Sequence, residues 1–376
     1  MVVTAEISVD GISPYRVERP PNAEELARCL AEAVAAGEAV IPIGGGRALG
    51  MGDVPEAADV ALSTRSLDRI VEHAPHDLTL TVEAGVTLEQ VQMQLERAKQ
   101  FLPLDPFSSP GHTIGGLLAT GWSGPLRLRY GTPREFLIGL RVALPDGRLA
   151  ASGGRVVKNV SGYDMNKLHL GALGSLGVIV AASFKVFPLP LVEKTVHRAF
   201  DSLEPALAEA ARALALPMPP AALDVIAERG SFTLAARVAG SEDGVERIVR
   251  ELGWEKAPDG FWEEHSRRSS ESWARLSARP GSLRHLVAAL PADARWVAHA
   301  GSGVVHWFDA GPAAAIGSSR KEAEARGGSC ILLAAPPELK REVGAWGSPP
   351  PTIGLMRRLR DAFDPSRRLN PGRYLC

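Results

Sequence analysis

Three glycine-rich loops before residue 190 constrain this chain more than any other feature. The first, Gly44-Gly45-Gly46-Arg47-Ala48-Leu49-Gly50, is launched from a run at 39–43 that reads as a buried strand. The second is Thr113-Ile114-Gly115-Gly116, followed downstream by Ser123-Gly124. The third, Gly171-Ala172-Leu173-Gly174-Ser175-Leu176-Gly177, turns into the apolar pair Val178-Ile179. Main chain without a Cβ can come close to a planar ring or a phosphate, and its N–H groups are natural partners for a diphosphate. The first loop matches neither common phosphate motif. No Gly-Lys-Ser/Thr occurs, so it is not a Walker loop. Leu49 stands where a dinucleotide fingerprint needs its third glycine, and the segment runs on towards another strand. A phosphate here is therefore expected between strands, without help from a helix dipole. One such loop alone fits a structural turn equally well. Three within 190 residues point to one extended ligand touched at several places.

Bulk properties narrow the function classes. The 376 residues suffice for two or three compact domains. A formal net charge of -1 offers no global field to nucleic acid or to an anionic membrane. Cys29, Cys330 and Cys376 lie far apart and form no CxxC pair, so they suggest no iron–sulfur or zinc site and no metal centre. They make no disulfide framework either, which favours a reducing compartment. The first 15 residues lack the basic start and apolar run of a signal peptide. No apolar stretch reaches the roughly 18–20 residues of a spanning helix. The expectation is a cytoplasmic protein, peripheral to the inner face of a membrane through partner subunits if at all.

The pattern of elements predicts an α+β chain. In a first unit, 1–190, Asn22 is an N-cap with Glu25 three residues on, and Leu26, Leu30, Ala33 and Val34 form the helical stripe that Gly37 ends. Segment 106–124 reads as loop. The strand pattern at 178–187 is closed by Pro188 and Pro190, which mark the first boundary. A second unit, 191–343, differs in kind: strand (194–200), helix (203–214), paired strands (223–227, 232–238) and helix (242–252). A similar order recurs as strand (273–277), helix (283–290), hairpin (296–299, 304–308), helix (313–325) and strand (330–333). Two βαββα(β) units predict a ferredoxin-like α+β domain in duplicate. A Gly/Pro linker at 344–351 and a basic helix at 353–363 make the third segment, 344–376.

At the level of motifs the chain resembles the vanillyl-alcohol-oxidase (PCMH-type) FAD-binding family. Pro42-Ile43-Gly44-Gly45-Gly46 resembles that family's pyrophosphate loop, and Thr81-Val82-Glu83-Ala84-Gly85-Val86 its following strand and turn. Thr113-Ile114-Gly115-Gly116 with Ser123-Gly124 resembles its second flavin-contacting loop. Tyr130-Gly131, Pro145-Asp146-Gly147, Lys158-Asn159-Val160-Ser161-Gly162-Tyr163-Asp164 and Gly174-Ser175-Leu176-Gly177 follow in the family's order. The tail, Phe363-Asp364-Pro365 with Asn370-Pro371-Gly372, is similar to the ending of glycolate-oxidase and D-lactate-dehydrogenase flavoproteins. The resemblance spans 18–190 and 355–373, and Ser123-Gly124-Pro125 with the Lys158 stretch is most similar to the glycolate oxidase E-subunit branch.

The resemblance implies a PCMH-type fold of two FAD subdomains under a ferredoxin-like cap. It implies non-covalent FAD, because Arg47-Ala48 stands where relatives with covalent flavin carry a histidine. It places the diphosphate on the backbone from Gly44 to Ala48, with Pro42, Ile43 and Leu49 beside it, and puts the ribityl and ring region against Thr113, Ile114, Gly115, Gly116, Ser123 and Gly124. Gly174, Gly177, Val178 and Ile179 fall on the adenine side. Arg47 either pairs a phosphate through its fork or points to water. Lys158 and Asp164, with Gly162 between them, either tune the flavin or cap a helix start. The function implied is an FAD subunit of a multi-subunit 2-hydroxy-acid (glycolate) oxidoreductase, working with a second FAD subunit and an iron–sulfur subunit. A self-sufficient hydroxy-acid dehydrogenase and a non-catalytic flavin-binding assembly subunit are the alternatives.

Such oxidation needs a base for the hydroxyl proton and a cation for the carboxylate. The candidate bases are His299 and His306 in His299-Ala300-Gly301-Ser302-Gly303-Val304-Val305-His306. This resembles the metal-binding histidine stretch of catalytic relatives, but Ser302 and Val304 replace its aspartate and asparagine, so no metal is expected. A plain hairpin turning at Gly301-Ser302-Gly303 accounts for the same residues more economically. The basic pairs Arg267-Arg268, Arg357-Arg358 and Arg367-Arg368 read as solvated faces, and Trp254, Trp262 and Trp273 as core.

Overall fold

The computed structural model describes residues 7–154, 164–228 and 230–376. Lys158 and Gly162 therefore lie outside the described residues, as do all of the motif's other residues up to Tyr163. The two subdomains implied for the first unit are both present. In one, strands Arg16–Glu18, Val60–Ser63 and Val40–Ile43 pair in that order, all parallel. Parallel strands are covered on their faces and read as apolar runs, as Val40-Ile41-Pro42-Ile43 does. Helix Ala23–Ala35 covers them. The Asn22 side chain accepts the Glu25 N–H at 2.8 Å, satisfying one of the free amides of the first turn. Leu26, Ala27, Leu30 and Ala33 then bury a single stripe against Val40, Val60 and Leu62.

In the other subdomain five antiparallel strands run in the order Ile70–Ala74, Thr79–Glu83, Val178–Lys185, Leu137–Ala143, Leu149–Gly153. Along the central strand Val180, Ala182 and Phe184 are buried while Ala181, Ser183 and Lys185 are not, the period of two of a strand with one packed face.

The expectation of loop throughout 106–124 is corrected: Ile114–Thr120 is a helix. Thr113 caps it, its hydroxyl accepting the Gly116 N–H at 3.4 Å, and Gly121 ends it at φ 65°. Each helical glycine costs about 1 kcal/mol relative to alanine. Burial of Ile114, Leu117 and Leu118 offsets that, at about 1.5–3 kcal/mol for a fully buried aliphatic side chain.

The second unit is a duplicated ferredoxin-like domain, as the repeat predicts. Its eight strands lie in the order Glu255–Lys256, Val192–Phe200, Ser231–Gly240, Ala222–Glu228, Arg295–His299, Val304–Phe308, Trp273–Ser277, Ser329–Ala334. Within each repeat the spatial order of its four strands is 4-1-3-2, and the repeats join edge to edge between Ala222–Glu228 and Arg295–His299. Helices Leu203–Leu214, Glu242–Leu252, Leu283–Ala288 and Ala313–Ala325 cover one face, over a core that includes Leu234, Leu276 and Trp307. The other face joins the first unit's core. Trp273, Val297, Phe308 and Ile331 pack there with Phe107, Leu117 and Trp122. Since side chains alternate across a strand, Trp273, Arg275 and Ser277 all face the first unit while Ala274 and Leu276 face the helices. Trp254, Trp262 and Trp273 are all buried.

Beyond helix Ile353–Phe363 the chain returns to the parallel sheet. Val40 donates to the Arg368 carbonyl at 2.8 Å and Asn370 donates to the Val40 carbonyl at 2.9 Å, so Leu369 lies beside Val40 as a parallel bridge.

Candidate cofactor and substrate site

The three glycine loops meet. Strand Val40–Ile43 ends at Gly44, and there is no room for a side chain beyond it. A Cβ on Gly44 would lie 2.2 Å from the Thr113 hydroxyl, and one on Gly45 would lie 2.1 Å from the Gly111 carbonyl oxygen. The Gly45 N–H donates to the Thr113 hydroxyl at 3.1 Å, tying the first loop to the second. Leu173 and the Gly174 turn close on Pro42 from the third loop, and the Asn370 carboxamide donates to the Leu173 carbonyl. The space enclosed is lined by the chain from Pro42 to Leu49, by Thr113 and Gly116, and by Asn370 and Arg373 from the C-terminal return. Arg47 is exposed, its guanidinium lying across Gly111.

Thr120 lines this cleft and also a second cavity of about 410 Å³ that opens between the first unit and the cap. Ser123, Arg127, Arg134 and Lys167 come from the first unit, and Arg275 and Ser277 from the cap strand. None of the described residues lining it is an aspartate or glutamate. Lys167 is paired with Asp164 at 2.9 Å. Burial lowers the Arg127 guanidinium, and burial with the neighbouring Arg127 charge lowers Arg275 to about 10. Two desolvated cations of like charge thus share one space, an arrangement that an anion relieves.

His299 and His306 are brought together, their ring centroids 5.2 Å apart. His306 is directly opposite the cavity residue Arg275 in strand register, and His299 opposite the cavity residue Val304. Both rings are buried, and Phe107 of the first unit packs on them at 5.7 Å from His299 and 4.9 Å from His306. Asp224, fully buried on the adjoining strand, accepts from His299 Nδ1 at 2.7 Å and from His265 Nε2 at 2.8 Å. Burial works against ionisation of Asp224, but the two imidazoles outweigh it and hold the carboxyl at about 2. Arg268 donates to His265 Nδ1 at 2.6 Å, which leaves the proton of that ring on Nε2. His299 Nε2 and His306 Nδ1 are both buried, and neither has a hydrogen-bond partner among the described residues. Burial and the surrounding cations push the His306 imidazole well below its usual value, so it is neutral near pH 7. Among the described residues no three His, Cys, Asp or Glu side chains are grouped as metal ligands.

The remaining sequence candidates divide. Gly115 is packed against Ala84, where a Cβ would come to 2.8 Å, and Ile114 is buried in the core. Gly124 is held against the Asp105 carbonyl at 1.8 Å from a built Cβ, so it shapes the turn while Ser123 reaches the cavity. Gly177 packs on Val142, and Val178 and Ile179 are buried at the start of their strand; none of the three lines the first cleft. Sequence reasoning missed Arg127, Arg275, Asp224 and Arg373. The sequence marks Arg275 with no signal, since it alternates with Ala274 and Leu276 as the outward residue of a one-faced strand does.

Comparisons with known proteins agree with this architecture. A family model described as an FAD binding domain matches residues 14–153, and one described as the FAD linked oxidases, C-terminal domain, matches residues 339–374. The chain is 30% identical over 320 residues to glycolate oxidase subunit GlcE of Escherichia coli K12, covering 83% of this chain and 86% of that protein. It is 31% identical over 213 residues to glycolate oxidase subunit GlcD of Bacillus subtilis, covering 57% of this chain and 45% of that one. In fold it is similar to alkyldihydroxyacetonephosphate synthase, with a TM-score of 0.70 at 17% identity over 94% of this chain and 75% of the other. The cleft fits a flavin dinucleotide on its own evidence, since the glycines leave a side-chain-free cradle and a buried arginine, Arg373, is among the residues that line it. By its sequence match, its two FAD-oxidase segments and its PCMH-type fold, the chain belongs to the FAD-linked oxidoreductase family that includes glycolate oxidase subunit GlcE, with FAD as its cofactor.

Proposed function

We propose that this chain is the FAD subunit of a multi-subunit 2-hydroxy-acid oxidoreductase of the glycolate oxidase type. The observation that carries the reading is the cavity beside the glycine loops, where Arg127 and Arg275 face one space whose described lining holds no carboxylate, Glu135 acting on Arg127 from outside it. A 2-hydroxy acid presents a carboxylate next to its CH–OH group, so a carboxylate held by the two arginines fixes the carbon to be oxidised. When bound, FAD supplies the acceptor for the two electrons that leave this carbon. The unit 1–190 binds it, the cap 191–343 covers it and 344–376 braces it. Gly44 to Ala48 hold the diphosphate, Thr113, Gly116 and Ser123 line the ribityl and ring region with Gly115 packed behind them on Ala84, and Gly174 to Ile179 support the adenine side. No covalent link is expected. Arg47-Ala48 offers no attachment atom, and His112, which borders the cleft, has its Nε2 on the Phe107 carbonyl at 2.8 Å.

The hydroxyl proton is assigned to the His299/His306 pair. Asp224 fixes the His299 ring through Nδ1, His299 Nε2 is left without a described partner, and burial keeps His306 neutral. Electrons leave through partners, a second FAD subunit and an iron–sulfur subunit, because the separated Cys29, Cys330 and Cys376 cannot ligate a cluster. No helix among the described residues is long and apolar enough to cross a membrane, in keeping with a cytoplasmic subunit that reaches one only through its partners. The test is anaerobic addition of glycolate to the purified chain, alone and with partner subunits, followed by visible absorbance. Bleaching of this chain's flavin, weakened in Arg275→Met, supports the reading. If no 2-hydroxy acid bleaches it in either setting, the cavity is not a hydroxy-acid site. Turnover with a dye by the single chain at the rate of the complex would make it self-sufficient instead.

A further inference from the structure

Arg373 stands in the wall of the glycine cleft and makes no ion pair among the described residues. It is only 3% exposed. Its Nη1 donates to the Asn370 side-chain oxygen at 3.0 Å, and its Nη2 donates to the carbonyls of Leu49 and Met51, each at 2.7 Å. All three acceptors are neutral. The carboxylate that acts most on its charge, Asp10, has both oxygens on Lys340 Nζ at 2.7 Å. Lys340 also donates to the Gly50 carbonyl at 2.6 Å, so two cations flank the far end of the first glycine loop; Asp10 acts on both, and Asp53, which accepts the Ala345 N–H, acts on Lys340. The Nε of Arg373 is buried with no partner. Burial lowers the guanidinium to about 10. A buried charge is costly to keep unless something pairs with it, and arginine's rigid fork suits phosphate oxygens. The carbonyl clamps hold the side chain in place before any anion arrives. Arg47, by contrast, lies exposed over Gly111.

We infer that Arg373, delivered by the C-terminal return, is the charged partner of the cofactor's diphosphate and makes the cleft select a dinucleotide flavin over one lacking phosphate. This rests on the placement of the diphosphate at the Gly44 loop. The C-terminal segment would then belong to the cofactor site itself, and the order of that segment would be linked to cofactor binding.

The full chain stripped of flavin, wild type and Arg373→Met, is titrated with FAD and with riboflavin, and quenching of flavin fluorescence gives each affinity. Loss of one charge-assisted contact is expected to weaken FAD by about 10- to 100-fold and leave riboflavin within about threefold. An equal loss for both ligands means that Arg373 only braces the loop, and no loss for FAD means that it does not meet the diphosphate; either overturns the inference. If the methionine variant does not fold, Arg373→Lys decides. It keeps the charge but not the fork, so FAD should weaken by about tenfold with riboflavin unchanged, and parallel losses overturn the proposal. A wild-type chain that binds both flavins equally would instead remove the diphosphate from the Gly44 loop.

Discussion

Asp105 connects a titration to the geometry of the cavity. Its carbonyl packs on Gly124, and its carboxylate accepts the Leu126 N–H at 3.0 and 3.2 Å, so it fixes the turn that carries Ser123 and Arg127 to the cavity under the cap. Burial raises its carboxyl to about 7, against the opposing pull of Arg237 and of the Leu126 N–H. The unfolded chain would release this proton near pH 3.8. Between those two values the folded chain holds a proton that the unfolded chain has lost, so stability falls as pH rises from about 4 to about 7 and then levels. Three units at about 1.4 kcal/mol each set an upper bound near 4 kcal/mol. Asp105 borders an open groove of about 430 Å³, and water there screens the charge. About 2 kcal/mol is the working figure. Asp105→Asn keeps an oxygen for the Leu126 N–H and cannot ionise. Denaturant unfolding followed by tryptophan fluorescence should show the variant more stable than wild type by about 1 kcal/mol at pH 5, where the unfolded carboxyl has already ionised, and by about 2 kcal/mol at pH 8. A difference that is the same at both values, or a wild type more stable at pH 8, would refute the reasoning.

Two further outcomes follow from the site. Gly45→Ala puts a methyl 2.1 Å from the Gly111 carbonyl and forces the first two loops apart. At about 1–3 kcal/mol of overpacking, FAD affinity by equilibrium dialysis should fall roughly 10- to 100-fold; unchanged affinity would mean that the loops need not touch. Arg275→Met removes one of the two guanidiniums that make no ion pair among the described residues, so the apparent Kd for glycolate should rise roughly 10- to 100-fold in stopped-flow reduction while flavin content stays the same. Loss of flavin in place of substrate affinity would assign Arg275 to the cofactor.

Much of the fold is legible because its periodicities are local. The ferredoxin repeat shows in the sequence since each strand and helix buries one face and therefore alternates or cycles on its own: Trp273–Ser277 and Glu242–Leu252 declare their periods without knowledge of a partner. Helix Ile114–Thr120 does not, because two glycines at its start carry no propensity for it and its stability comes from burying Ile114, Leu117 and Leu118 in a core built by distant strands. The loops announce a ligand individually, but their convergence on one cleft depends on the Thr113 bond to Gly45 and on Asn370, 257 positions beyond Thr113 in the chain (370 − 113). The histidine hairpin is legible as a hairpin. Its third partner, Asp224, is not, since it comes from the other repeat and faces His299 only through the join of the two sheets. Arg275 and Arg127 look like ordinary surface charges until the cap sheet is seen to turn that face towards the first unit.

The central claim is that the three glycine loops and the C-terminal return surround one dinucleotide, with its ring end at the arginine-lined cavity. An experimentally determined structure of the FAD-loaded chain tests it most directly. The diphosphate should lie against the amides of Gly44 to Ala48 within reach of Arg373, and the ring should border the space shared by Arg127 and Arg275. A cofactor whose phosphates face bulk solvent, or whose ring lies away from that space, would contradict the account.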